Sequence, residues 1–287
     1  MRGLPNLGAT CWAGAALQCL MHCPQLCRFF VIDAHHGKAL DRFAEADAQA
    51  TSTLGAAFAA FTRSYWRGED STSVPLRALR AVVEAMSAPG ERGMPQDAHE
   101  AFTKTLEALH VGLREDYVSE LLAPSRRAVD LAAWETHCRA PANGFSILTE
   151  IFQVQVRQEV NAEVSWDHPW QLAAPAAGSS TQEALEALLD STEVIEGRRV
   201  RREITYLPLC LVIVGAGMRV DARLDASSKG LGRYEATAVA AMQGGHWIAA
   251  AKENGNWYAC DDSSVGRVDF RDVRGLPGVR MAVYRKL

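Results

Sequence analysis

Gly3-Leu4-Pro5-Asn6-Leu7-Gly8-Ala9-Thr10-Cys11-Trp12 stands near the start of the 287-residue sequence. After it, the apolar positions Ala16, Leu17, Leu20, Leu26 and Phe29 recur at helical spacing with an interruption at Pro24, which predicts a helix opening at Cys11. A thiol at a helix start meets free backbone N–H groups and the positive end of the helix dipole, and both lower its pKa. The stretch therefore reads as a turn that delivers a reactive cysteine to a helix mouth.

An activated thiol needs a base and a group that orients it. Near the other end of the chain lie Gly244-Gly245-His246-Trp247 and Trp257-Tyr258-Ala259-Cys260-Asp261-Asp262. Of eight histidines, His246 alone follows two glycines, which allow a close backbone approach to a substrate. Asp261 follows a predicted strand and is the expected orienting carboxylate. Asp262 alternates to the other side of that strand and is the less favoured orienter.

These segments resemble the Cys box and His box of the ubiquitin-specific proteases, the papain-like deubiquitinases. Two further blocks fall between them in the family's order. Pro95-Gln96-Asp97-Ala98-His99-Glu100-Ala101-Phe102 is similar to the family's Gln-Gln-Asp-Ala-x-Glu-Phe helix, and Leu207-Pro208-Leu209-Cys210-Leu211 to its Leu-Pro-x-x-Leu strand. The resemblance implies an α+β papain-like peptidase with a helical thumb over about 1–145, reduced fingers over about 146–206 and an antiparallel β palm over about 207–287. It implies a thiol hydrolase acting after the C-terminal glycine of ubiquitin or a ubiquitin-like protein. The alternative is a non-catalytic ubiquitin-binding scaffold of the same fold.

By the same resemblance Cys11 is the nucleophile, His246 the general base, Asp261 the third member, with Asp262 in a supporting or substitute role, and Asn6 the oxyanion-hole amide. Gln96, Asp97, Glu100, Gly244, Gly245 and Trp247 fall where the family holds ubiquitin's basic tail, and carboxylates suit arginines through bidentate pairing. The chain departs from the family in secondary positions. Gly14 replaces an Asn, Trp247 a Tyr, and Val214-Gly215 an Arg-Phe pair. The fingers of many members bind zinc through two Cys-x-x-Cys pairs, but residues 152–207 contain no cysteine, so no metal and no cofactor is expected. Cys19, Cys23 and Cys27 repeat at four-residue spacing and read as one buried helix face.

Composition agrees with a packed domain. Hydrophobic residues make up 48% of the chain, and the formal net charge of −4 offers no reason to expect nucleic acid or an anionic membrane as partner. The basic run Arg198, Arg199, Arg201 and Arg202 reads as a solvated strand edge or hairpin. The apolar stretch 207–215 is too short to span a bilayer, and no leader is evident. Seven cysteines, an odd number with a thiolate among them, fit a reducing compartment, cytoplasmic or nuclear. Export without a leader and action inside another cell are compatible with the sequence. A monomer is expected.

Periodicity predicts helices over 56–65, 75–86 and 97–113, then alternation from Phe152 onward. A loop at 173–180 leads into a short helix at 181–189 with Thr181 as a candidate cap. Strands are predicted around Ile204 and over 209–214, 234–242, 247–253, 257–260 and 279–284.

Overall fold

The computed structural model describes residues 1–31, 50–67, 76–87, 90, 93–114, 127–140 and 143–287. His35, His36 and the predicted helix start at Pro75 lie outside them. Among the described residues seven helices come first: α1 (Cys11–Met21), α2 (Pro24–Val31), α3 (Ala50–Arg67), α4 (Leu76–Met86), α5 (Ala98–Gly112), α6 (Ala128–Arg139) and α7 (Ile147–Phe152). Strands β1 (Gln155–Val160), β2 (Glu163–Asp167) and β3 (Leu172–Ala173) precede α8 (Thr181–Leu189). Then come β4 (Asp190–Ile195), β5 (Arg198–Tyr206), β6 (Cys210–Val214), β7 (Arg223–Asp225), β8 (Arg233–Gln243), β9 (His246–Glu253), β10 (Asn256–Asp261), β11 (Ser264–Val268), the short α9 (Phe270–Arg274) and β12 (Val279–Lys286).

The strands form two sheets. A four-stranded sheet has the order β2-β1-β5-β4, and a larger one runs β11-β10-β9-β8-β12-β6-β3 with β7 paired to β8. Helices first and a mainly antiparallel sheet after them make the expected α+β arrangement.

The large sheet is buried on both faces along its central strands β6, β8 and β12 and much of β9, which explains why these read as continuous apolar runs, whereas its edge strand β11 is mostly exposed. Val212, Ala238, Ala240, Ala249, Ala251 and Met281 point toward the helices with Trp12, Leu17, Leu20, Phe58 and Phe102. Leu211, Ile213, Val239, Ala241 and Ala250 point to the opposite core with Leu185, Tyr234 and Tyr284. Alanines line both sides of the contact between α1 and strands β8 and β9. Their small side chains let the helix lie close to the sheet, so the mouth of α1 ends beside the strand ends that carry His246 and Asp261.

Several local expectations change. Phe152 ends a helix instead of starting a strand, because Ser146 accepts from the Leu148 N–H in a reciprocal cap with Thr149, and Leu148, Ile151 and Phe152 turn inward. The cap of α8 is Ser180 with Glu183, while Thr181 is its first residue and meets the Tyr284 hydroxyl at 2.6 Å. Cys19 and Cys27 lie on different helices, since Pro24 opens α2 after a break at His22 and Cys23. All three thiols are nonetheless buried and free. The basic run lies, as one of its two expected readings had it, in a hairpin: β4 turns into β5 at Glu196–Gly197, and Arg201 pairs with Asp190 at 3.0 Å and Arg202 with Glu193 at 3.2 Å.

Candidate active site

The turn before α1 is ordered by Asn6. Its Oδ1 accepts from the Gly8 and Thr10 backbone N–H groups at 3.1 and 3.0 Å and from the Thr10 hydroxyl at 3.2 Å. Gly8 adopts φ +102°, a region favourable to glycine, and Ala9 adopts φ +50°. The chain then enters α1 at Cys11, which is 9% exposed. A small cavity beside Cys11 is lined by Leu4, Gly14, Gln18, Trp247, Cys260 and Asp262. Nucleophile candidate, helix and the ends of β9 and β10 therefore meet at one place.

His246 and Asp261 are joined by strand register. The pairing of Cys260 with Ala249 puts Asp261 opposite Ile248, two residues from His246 on the same face, so the two form a diagonal cross-strand pair. Asp261 Oδ1 stands 2.7 Å from His246 Nε2. A carboxylate only accepts, so Nε2 carries the proton and Nδ1 of the neutral ring is left as the basic atom. Gly244 and Gly245, at φ +57° and +86°, form the two-residue turn between β8 and β9. Both positive values are what such a hairpin turn demands, so turn geometry accounts for the glycine pair.

Asp262 is not a strand residue. It occupies the β10–β11 turn at φ +51°, and its Oδ2 accepts from Asn6 Nδ2 at 3.3 Å. Its backbone carbonyl accepts from the Leu4 N–H at 2.9 Å. The two adjacent aspartates thus hold different partners, one the imidazole and the other the Asn6 amide. His246, Asp261 and Asp262 also place one donor atom each within 4.8 Å of one another, a spacing that suits a metal ion, but their hydrogen bonds already join them as separate pairs.

The remaining expected positions lie on α5 and β9. Asp97 is the N-cap of α5, accepting from the His99 N–H at 2.9 Å, and it also contacts the His99 ring. This pairing holds the His99 imidazole above its usual range and the Asp97 carboxyl below its own. Glu100 is exposed in the first turn, Gln96 is half-buried, and Gly244 and Gly245 are exposed. Trp247 is 4% exposed and belongs to the core between helices and sheet. The other thiols differ in setting: burial pushes Cys27 and Cys260 up to about 12 and Cys19 higher still, so they remain protonated.

A sequence model of the ubiquitin carboxyl-terminal hydrolases matches residues 2–229. The chain belongs to that family. Among its relatives, ubiquitin carboxyl-terminal hydrolase Usp2 of Drosophila melanogaster is 28% identical over 209 residues, covering 68% of this chain and 21% of the relative. Ubiquitin carboxyl-terminal hydrolase 27 of Mus musculus is 27% identical over 188 residues, 63% of this chain and 37% of its own length. The chain thus spans only about a fifth to somewhat over a third of those relatives' length. The solved SAGA Ubp8/Sgf11/Sus1/Sgf73 DUB module bound to ubiquitin aldehyde superposes with a TM-score of 0.73 at 16% identity, covering all of this chain and 70% of that one. The fold is that of a ubiquitin-specific protease catalytic domain, an α+β papain-like fold. The stretch matched by the family model ends before His246 and Asp261, so for those two the geometry of the hairpins is the independent observation.

Proposed function

We propose that this hydrolase cleaves the bond after the C-terminal glycine of ubiquitin through a thioester on Cys11. The observation that carries the reading is the His246–Asp261 pair, which leaves Nδ1 as the base at the sheet end beside the mouth of α1. In this mechanism His246 Nδ1 holds the proton of the Cys11 thiol, and the thiolate attacks the carbonyl carbon of the terminal glycine. The carbonyl electrons pass to oxygen, which accepts from the Cys11 backbone N–H and from Asn6 Nδ2. That amide has two hydrogens, so one remains after the bond to Asp262. Collapse expels the amine, which takes the proton from the imidazolium, and leaves the thioester. Water then attacks, giving its proton to His246, and releases the carboxylate and the thiol. Asp261 stabilises the charged ring in each half-reaction.

Ubiquitin as partner is supported by the structural relative bound to ubiquitin aldehyde. Its arginine-bearing tail would meet Gln96, Asp97 and Glu100 on one side and the exposed Gly244–Gly245 turn on the other, while Trp247, expected from the sequence to join them, lies in the core and supports that turn from below. A ubiquitin probe with a C-terminal electrophile labels the wild type at Cys11 and fails to label Cys11→Ala. Labelling retained in the variant, or none of the wild type, overturns the reading.

A further inference from the structure

Gln18 is 2% exposed, a polar side chain within the apolar run of α1, and both ends of its amide are engaged. Nε2 donates to the Arg2 carbonyl at 2.6 Å, and Oε1 accepts from the Tyr65 hydroxyl at 3.0 Å. The same hydroxyl accepts from the Arg2 backbone N–H at 3.4 Å. Side chains of two helices, α1 and α3, therefore hold both backbone groups of one residue. Burial raises the Tyr65 phenol, so the hydroxyl keeps the proton it donates.

Beyond Arg2 the chain lies against the β10–β11 turn. A Cβ on Gly3 would stand 2.3 Å from the Ser263 carbonyl oxygen, and the Leu4 N–H donates to Asp262. Asn6 follows two residues later. Gln18 itself lies seven residues after Cys11, two turns along the same helix face, and lines the same cavity.

We propose that Gln18, with Tyr65, is a positioning residue that fixes residues 2–6 against α1 and so sets where the Asn6 amide stands relative to the Cys11 thiol. This rests on the roles assigned to Cys11 and Asn6 above. A donor to a developing oxyanion acts only when it is already in place, and a misplacement of about 1 Å costs up to about 10²-fold in rate. A buried amide shared between the helix that carries the thiol and the segment that carries the donor removes that freedom.

Gln18→Met keeps length and volume but can make neither bond, and Tyr65→Phe removes the shared hydroxyl. On a fluorogenic ubiquitin amide, each variant is expected to lose about 10-fold or more in kcat with KM unchanged, and the double variant to lose no more than the worse single one. Alkylation of Cys11 by iodoacetamide, followed by mass spectrometry of its peptide, forms no oxyanion and keeps the wild-type rate. Amide hydrogen exchange over residues 3–10 rises. Alkylation that falls in step with turnover marks general damage to α1 and overturns the proposal, as does unchanged turnover. If the wild type hydrolyses no ubiquitin, the functional reading above fails, and exchange over residues 3–10 still decides for Gln18: faster in Gln18→Met supports the tether, unchanged overturns it.

Discussion

The two sheets of this protein are built on opposite terms. The centre of the large one is covered on both faces and made of alanine, valine, isoleucine and leucine, whereas the small one carries Arg201, Arg202, Asp190 and Glu193 in exposed pairs and leaves Val194 74% exposed. The His246–Asp261 pair sits at one end of the larger sheet. A diagonal pair such as His246 and Asp261 keeps its geometry only where the register is fixed, and register is strongly specified where a face is buried. The exposed sheet is stabilised by contacts that each contribute little and tolerates change.

The sharpest break of this contrast is made at the end of the covered sheet. Asp261→Asn is expected to lower turnover by about 10² to 10⁴ with ubiquitin binding retained, because the imidazole is freed to take the wrong tautomer. Asp262→Asn has the smaller effect, since an asparagine oxygen can still accept from Asn6. Steady-state kinetics beside direct binding of ubiquitin separates the two, and a larger loss in the Asp262 variant would move the orienting role to that residue.

Stability draws the same line less steeply. Ile213→Ala, at a fully buried position of β6, is expected to cost about 2–5 kcal/mol in chemical denaturation. Asp190→Asn and Val194→Thr in the small sheet cost less than about 1 kcal/mol. Equal losses in both sheets would erase the distinction.

The most gradual effect is a drift with pH. His22 is buried against Tyr65 and Trp66 and held down to about 4, and His168, stacked on His137 where β2 ends beside α6, is held down to about 3 by burial and by its neighbour's charge. Above about pH 6.5 both rings are neutral whether folded or unfolded, and they contribute no pH dependence. Below it the unfolded chain takes up protons that the folded one refuses. Stability therefore falls with acid by up to about 1.4 kcal/mol per pH unit for His22, and by less for the partly exposed His168, until the folded values are reached. Urea midpoints measured from pH 7 to pH 4.5 check this, and a flat profile would show that the rings protonate in place.

How far the sequence could be read follows the same division. Strands buried on both faces announced themselves as apolar runs, and the helix at Cys11 by its spacing. Helix α6 went unread because only Asp130, Trp134 and Cys138 of it are buried, and one of these is a carboxylate that accepts from the Trp166 indole at 3.0 Å. Strands β4 and β11 are short, mostly exposed and rich in polar residues, so no period of two stood out. At the site, residue types and order were legible, but partners were not. That Asp262 leaves the strand in a left-handed turn and holds Asn6 depends on a contact across 256 residues. Gln18 left one faint trace, a lone amide in an apolar helix.

The three tight turns that join β8 to β11 alternate between the two ends of the sheet. Gly244–Gly245 and Asp262–Ser263 flank the His246–Asp261 pair, while Asn254–Gly255 lies at the far end. The hairpin therefore has a working end and an idle end. A reporter peptide spliced between Asn254 and Gly255 lengthens a connection without sliding either strand, and the His246–Asp261 distance is preserved. The same peptide placed at either flanking turn would displace the residues next to the pair, so natural or engineered variation in loop length has one door into this part of the protein.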